Sequence, residues 1–404
     1  MISLGRVVGV EGGLLVARLP RIRVGDGVRV AGGPSGEVRS IAESLARIAM
    51  HGGLEGIAAG ACVLGDRAAQ WMHLGTCALG RAIDARGVPL DAGPPLLGTA
   101  VRVETAAPAE RAAVSQPLWT GIRAIDALLT LGVGSRAGIF GAPGTGKSVL
   151  LEILARGSAA DAVVVALVGE RGREAHAWEA CCDRRTTIVC ATSDRPAAER
   201  LRAVRVALSH ARALRDRGLH VLMLLDSLAR VAGASRELGV ANGESTGRGG
   251  YPPSVFAELA RLIEVCGATP HGSITLVGTV LDDGDERDPV SDAARSLLDG
   301  HLQLSLDIAR AGRFPAIDVP ASASRTMTDV VDPEHASAAR RVRAAIAALA
   351  RTADARDLGI ASADEALRRA VACEPRIEAF LRQNESPCAH GDSLAMLQEI
   401  AGAL

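Results

Sequence analysis

The segment Ala137-Gly138-Ile139-Phe140-Gly141-Ala142-Pro143-Gly144-Thr145-Gly146-Lys147-Ser148 decides the fold. Its first four residues form an apolar run of strand length, and Gly141 to Ser148 fit the pattern G-x-x-x-x-G-K-[ST]. A helix is expected from Ser148 to Arg156, stopped at Gly157. Strand, glycine loop and helix in that order give the pattern its chemistry. Glycines let backbone N–H groups close around phosphate oxygens at a helix N-terminus, Lys147 places a compact charge on β/γ-phosphates, and the Ser148 hydroxyl can ligate Mg²⁺. Gly141, Ala142, Pro143, Gly144, Thr145, Gly146, Lys147 and Ser148 are therefore the expected nucleotide-binding residues. Of 45 basic residues only Lys147 is lysine. The arginine bias reads as codon preference, but the place of the exception has a physical reason, since a planar guanidinium fits poorly in so tight a loop.

Outward from this loop, apolar runs of strand length (Ala162 to Val168, Thr187 to Ala191, Val221 to Leu225, Ile274 to Leu281, Leu302 to Leu306) alternate with helical stretches (Ala197 to Arg215, Val255 to Val265). That alternation predicts a parallel sheet covered on both faces. The run His220 to Leu225 ends in Asp226, placed to hold the Mg²⁺ shell in the Walker B role. The other reading of Asp226 is a cap for the next helix. Strand Val163 to Val168 runs into Gly169-Glu170-Arg171-Gly172-Arg173-Glu174. Water attacks a γ-phosphate poorly unless a group orients and deprotonates it, and Glu170 is the candidate. Read by itself, the Glu170-Arg171 pair is also compatible with a surface salt bridge.

Before this domain, short β-type runs (Arg6 to Val10, Leu14 to Leu19, Val28 to Val30, Glu37 to Ile41, Leu45 to Met50) alternate with glycine turns, which predicts a small β-barrel over residues 1–72. The P-loop domain is expected over 73–332. From 333 to 404 apolar residues recur at helical spacing (Val342, Ile346, Leu349; Ile377, Phe380, Leu381; Leu394, Leu397, Ile400, Leu404), which predicts a helical domain. The fold class is thus α/β with three parts.

A 404-residue chain that is 48% hydrophobic and 23% charged is not disordered. A net charge of −1 and eight aromatic residues give neither the field nor the stacking platform of a general nucleic-acid binder. No apolar run reaches membrane-spanning length, and Arg6 and Glu11 interrupt any leader, so the cytosol is expected. Eight cysteines, among them the adjacent Cys181 and Cys182, follow no metal-ligand spacing and read as free thiols.

Several segments together resemble one family. They are the phosphate loop, GERGRE, the LLDSLAR stretch ending at Arg230, Gly250-Tyr251-Pro252-Pro253-Ser254-Val255-Phe256, Arg295-Ser296-Leu297-Leu298-Asp299-Gly300-His301, Phe314-Pro315-Ala316-Ile317-Asp318 and Ser322-Ala323-Ser324-Arg325. The family is the export ATPases of type III secretion systems and of the flagellum, related to the catalytic beta subunit of rotary ATP synthases. A weaker match covers Gly80 to Asp84. The resemblance implies a RecA-like central domain and a homohexamer hydrolysing Mg-ATP in sites shared between neighbours. It assigns Glu170 as catalytic glutamate, Arg171 as the arginine beside it and Asp226 as the Walker B carboxylate. Lys147 also counts as catalytic, and Arg325 as the arginine one subunit presents to its neighbour's nucleotide, where it steadies the developing phosphoryl charge. Phe314 takes the place of a tyrosine that packs on adenine; its other reading is a core phenylalanine.

As partners the resemblance implies stator and stalk proteins of the export apparatus and chaperone–substrate complexes, at a cytoplasmic site peripheral to the inner membrane. The first strand begins almost at once, so the N-terminal extension used for stator contact is expected to be missing or very short. The stretch Arg351 to Asp364 lacks the family's apolar pattern, and Arg248 sits one place early. Competing readings are a non-catalytic nucleotide-binding scaffold, which Glu170 opposes, an RNA translocase, which charge and aromatics oppose, and a subunit of a rotary synthase. Asp332-Pro333-Glu334-His335 favours the injectisome over the flagellum.

Overall fold

The computed structural model describes residues 3–179, 183–282, 288–358, 364–384 and 386–404. Cys181, Cys182 and part of the stretch Arg351 to Asp364, residues 359–363, lie outside the described residues.

Six strands close the N-terminal barrel: β1 (Ser3–Glu11), β2 (Leu14–Arg18), β3 (Gly27–Val30), β4 (Ser35–Ala42), β5 (Leu45–Met50) and β6 (Cys62–Gly65), in the order β1-β2-β5-β4-β3-β6. Five follow from alternating apolar residues. The sixth closes the ring by pairing with both β1 and β3. Val7, Leu15, Val28, Val38, Ile48 and Val63 fill the interior. The outer face of β2 and β5 is not solvated, because Leu14 and Ala49 pack on Ala198 of the central domain. Ion pairs of Arg205 with Glu37 and Glu258 seal that junction.

Two short ribbons follow, β7 (Trp71–His73) with β9 (Ala100–Arg102) and β10 (Pro117–Leu118) with β11 (Leu131–Gly132), while β8 (Ala82–Asp84) joins the main sheet. That sheet also contains β12 (Arg136–Gly141), β13 (Ala162–Val168), β14 (Thr186–Ala191), β15 (His220–Asp226), β17 (Ser273–Leu281), β18 (Gly300–Gln303) and β19 (Ala323–Ser324), in the order β19-β18-β12-β17-β15-β13-β14-β8, with β16 (Gly267–Ala268) paired to β17. The pairings along the path are parallel except that of β19 with β18. Burial of both faces is read directly in β13. Val163, Val165 and Leu167 enter one core cluster, while Ala162, Val164, Ala166 and Val168 enter the other, as the two-residue period requires.

The expected strand Leu302 to Leu306 is shorter than its apolar run. It stops at Gln303, and Ser305 caps a short helix, Leu306–Arg310, by accepting the Ile308 N–H at 3.3 Å. The C-terminal helices Pro333–Arg351, Glu365–Leu381 and His390–Ala403 do not build a separate core. Their Val342, Ile346, Ile377, Phe380 and Leu397 share one cluster with Leu150, Leu151 and Leu154 of the phosphate-loop helix. Among the described residues no helix is long and apolar enough to cross a membrane.

Candidate nucleotide-binding and catalytic site

The carboxyl ends of β12, β17, β15 and β13 converge on one edge of the sheet. β12 delivers the chain at Gly141 into a loop in which Gly144 and Gly146 adopt φ of +83° and +89°. A side chain is strained there. Gly144 faces open space within 4 Å of where a Cβ would stand, so the loop is a cradle rather than a packed turn. Gly146 caps the helix Lys147–Gly157 without a side-chain hydrogen bond, leaving the first N–H groups and the positive end of the helix facing outward. Thr145 is buried and donates to the Ala142 carbonyl at 2.9 Å, bracing the loop from below. Pro143 and Ser148 are exposed. The Lys147 ammonium donates to the carbonyls of Gly141 and Ala142, each at 2.8 Å.

Charge gathers around this lysine. Burial pulls Lys147 below its ordinary pKa, and the carboxylates of Asp226, Glu170 and Asp282 oppose that shift. Asp226 ends β15 and accepts from the Thr279 hydroxyl of β17 at 2.6 Å. The capping of the following helix falls instead to Ser227, whose oxygen accepts the Arg230 N–H. Burial holds Asp226 above the usual carboxylate range, against the pull of the Thr279 hydrogen bond and the Lys147 charge. Glu170, just past β13, is pushed up to about 7. Burial is the main cause, followed by its hydrogen bond with Glu174 and the charge of Asp226.

The residue that sequence reasoning missed is Arg230. Its Nε lies 2.8 Å from Glu170 Oε1, so the ion pair at this strand end joins Glu170 to Arg230. Arg230 lies in the first turn of the helix Leu228–Ala241, and the LLDSLAR stretch by itself gives no sign that the fold sets this residue against Glu170. Asp282 was missed as well. It directly follows β17, donates its N–H to the Gly141 carbonyl at 3.1 Å, and pairs with Arg295, whose guanidinium lies 4.3 Å from the centre of the Phe140 ring. Arg171 is exposed next to Glu170.

Phe314 is 48% exposed, unlike a core phenylalanine. With Gly146, Val149, Ile153, Pro315 and Gln383 it lines a cleft of about 830 Å³ beside the phosphate loop, whose apolar walls suit a flat ring. Arg325 is not brought to this site. Ser324 pairs with Gly300 at the start of β18, and Gly300 lies level with Ala137 of β12, so Arg325 stands exposed at the amino end of the sheet. Four residues of strand, roughly 13 Å, separate that level from Gly141. Arg248, without an expected role, pairs with Asp292 at 2.9 Å.

The donors on this edge are hard oxygens, the Ser148 hydroxyl and the Asp226 carboxylate, which suit Mg²⁺ together with phosphate oxygens. Among the described residues no group of three or more His, Cys, Asp or Glu forms a self-contained metal cage.

Residues 121–324 match the ATP synthase alpha/beta family, nucleotide-binding domain, and residues 331–399 match the T3SS EscN ATPase C-terminal domain. A type 3 secretion system ATPase of Pseudomonas syringae pv. syringae is 40% identical, over 94% of this chain and 90% of the relative. A flagellum-specific ATP synthase of Salmonella typhimurium is 40% identical over 82% of this chain and 77% of its own. The assembled ATPase EscN of the enteropathogenic E. coli type III secretion system superposes with a TM-score of 0.92 at 36% identity, covering 98% of this chain and 100% of that one. EscN in complex with its central stalk EscO gives 0.90 at 35% identity, with the same coverage. The barrel, the nucleotide-binding sheet and the C-terminal helices are thus those of a single lineage, and the chain belongs to the type III secretion and flagellar export ATPase family.

Proposed function

We propose that the chain hydrolyses Mg-ATP to energise protein export by a type III secretion system, in the cytoplasm at the inner-membrane export apparatus. The observation that carries this reading is the convergence of Lys147, Asp226 and Glu170 on one sheet edge, with the Glu170 carboxyl at about 7. The 40% identity to a secretion ATPase over 94% of the chain supports the export role.

In this reading the loop N–H groups and Lys147 bind the β- and γ-phosphates, and Phe314 packs on the base. Ser148 and Asp226 hold Mg²⁺, which when bound screens the phosphate charge. Glu170 orients the attacking water and takes its proton as the oxygen bonds to the γ-phosphorus and the bond to the ADP oxygen breaks. Arg171 lies beside that reaction. Because Arg325 stands away from its own loop, its charge serves the site of a neighbouring subunit, which requires an oligomer, a hexamer in this family. The partners are then a stalk protein, as EscN has in EscO, together with a stator and chaperone–substrate complexes.

The flagellar relative, 40% identical over 82% of the chain, supports a second reading, export through the flagellum, with the same chemistry. The test of the chemistry is Glu170→Gln, expected to lower turnover by roughly 10²- to 10⁴-fold while ATP binding persists. Unchanged turnover would return the chain to the non-catalytic scaffold class.

A further inference from the structure

We infer that Gln383 is the positioning residue through which the C-terminal helices hold the base platform of the nucleotide site, an inference that rests on the ATPase reading above. The loop carrying Phe314 has three ties to the end of the helix Glu365–Leu381. Arg382 Nη1 donates to the Gly312 carbonyl at 2.7 Å, Arg313 pairs with Glu378 at 2.8 Å, and the Gln383 N–H donates to the Phe314 carbonyl at 2.8 Å. The last tie reaches the platform residue itself.

The side chain of Gln383 fixes where that N–H points. It is 8% exposed, and its amide bonds to three residues other than Phe314. Oε1 accepts the Arg123 N–H at 3.0 Å, while Nε2 donates to the carbonyls of Gly121 at 2.8 Å and Ser386 at 2.9 Å. Only a primary amide offers two donors and an acceptor in one plane, so neither glutamate nor an apolar isostere can replace it. The Gly121 carbonyl also accepts the Cys388 N–H at 2.8 Å. A Cβ at Gly121 would stand 2.8 Å from Pro387, so glycine is what lets this loop approach.

Gln383 therefore joins three segments that the sequence keeps far apart: the stretch before the phosphate-loop strand, the Phe314 loop, and the helical domain. The base platform is tied to Gln383 by a hydrogen bond, whereas Lys147 is held by the carbonyls of Gly141 and Ala142 in its own loop. Loss of the Gln383 side-chain bonds then changes the grip on the base and leaves the grip on the phosphates intact.

The test uses the full chain and two ligands, ATP and inorganic tripolyphosphate, which has no base, with binding measured by calorimetry. Gln383→Met is expected to weaken ATP binding about tenfold and leave tripolyphosphate binding unchanged. Combined with Phe314→Ala, it should add nothing to the loss caused by Phe314→Ala alone. Glu378→Ala alters a half-exposed helix-surface carboxylate and spares the core, so it keeps the test open if Gln383→Met folds poorly; it should shift ATP binding in the same direction and less. Equal losses for both ligands, or additive losses in the double variant, would overturn the inference and leave Gln383 a fold-stabilising residue. A wild-type chain that binds neither ligand would instead overturn the ATPase reading, and the inference with it.

Discussion

In the proposed mechanism Glu170 is the general base, and Arg230 is its ion-pair partner. A general base works as the carboxylate, and the Glu170 carboxyl titrates at about 7, so turnover should rise as pH climbs through 7 and level off above it. The Arg230 charge draws that pKa down. Arg230→Ala should therefore move the inflection of the pH–rate profile to higher pH, which a buffer series on both proteins would show; an inflection that stays put would separate Arg230 from the base. The phosphate loop and Asp226 were legible because their chemistry needs a fixed spacing along the chain. Arg230 was not, because its role follows from a turn of helix folding back on a strand end, and linear order conceals that. Phe314 was legible only through the family resemblance, since a single phenylalanine in sequence carries no sign of which way it faces.

Elements differ in how openly the sequence declares them. Strands β13 and β15 are continuous apolar runs and could be read directly. Strand β8, three residues long, is a strand only because β14 offers it an edge, with Val189 opposite Ile83, and β6 exists because a barrel must close. The end of the phosphate-loop helix is a further case. A Cβ at Gly157 would lie 2.7 Å from the Thr120 carbonyl and 2.9 Å from Pro387. Gly157→Ala should destabilise the chain by about 1–3 kcal/mol in denaturant unfolding, as forced overpacking does. The helix Ala197–Arg215 carries a different constraint. His210 is fully buried, accepting the Gly75 N–H at Nδ1 and facing the Thr187 hydroxyl at Nε2, and burial pushes its pKa to about 3. Below about 6.5 the unfolded chain binds a proton that the folded chain refuses until about 3. The His210 contribution to stability should fall as pH drops through that window, by up to about 1.4 kcal/mol per unit. Because the raised carboxyls of Glu170 and Asp126 contribute with the opposite sign, the check is the unfolding free-energy difference between wild type and His210→Gln, and a difference that stays constant between about pH 6.5 and 4 would contradict this.

At the scale of the whole molecule the three parts are coupled through shared packing. The barrel rests on the outer face of the central domain, and the C-terminal helices share their core with the phosphate-loop helix. Arg325 stands at the opposite end of the sheet from Lys147, Glu170 and Asp226, so in the proposed mechanism a neighbouring subunit completes the site. The most direct test is Mg-ATP turnover per protomer across a range of protein concentrations, for wild type and Arg325→Ala. The shared-site account predicts turnover that rises steeply with concentration, and a variant that binds ATP yet loses turnover by roughly 10³-fold or more. Turnover that is flat with concentration and indifferent to Arg325 would mean that one subunit holds a complete active site, contrary to the account.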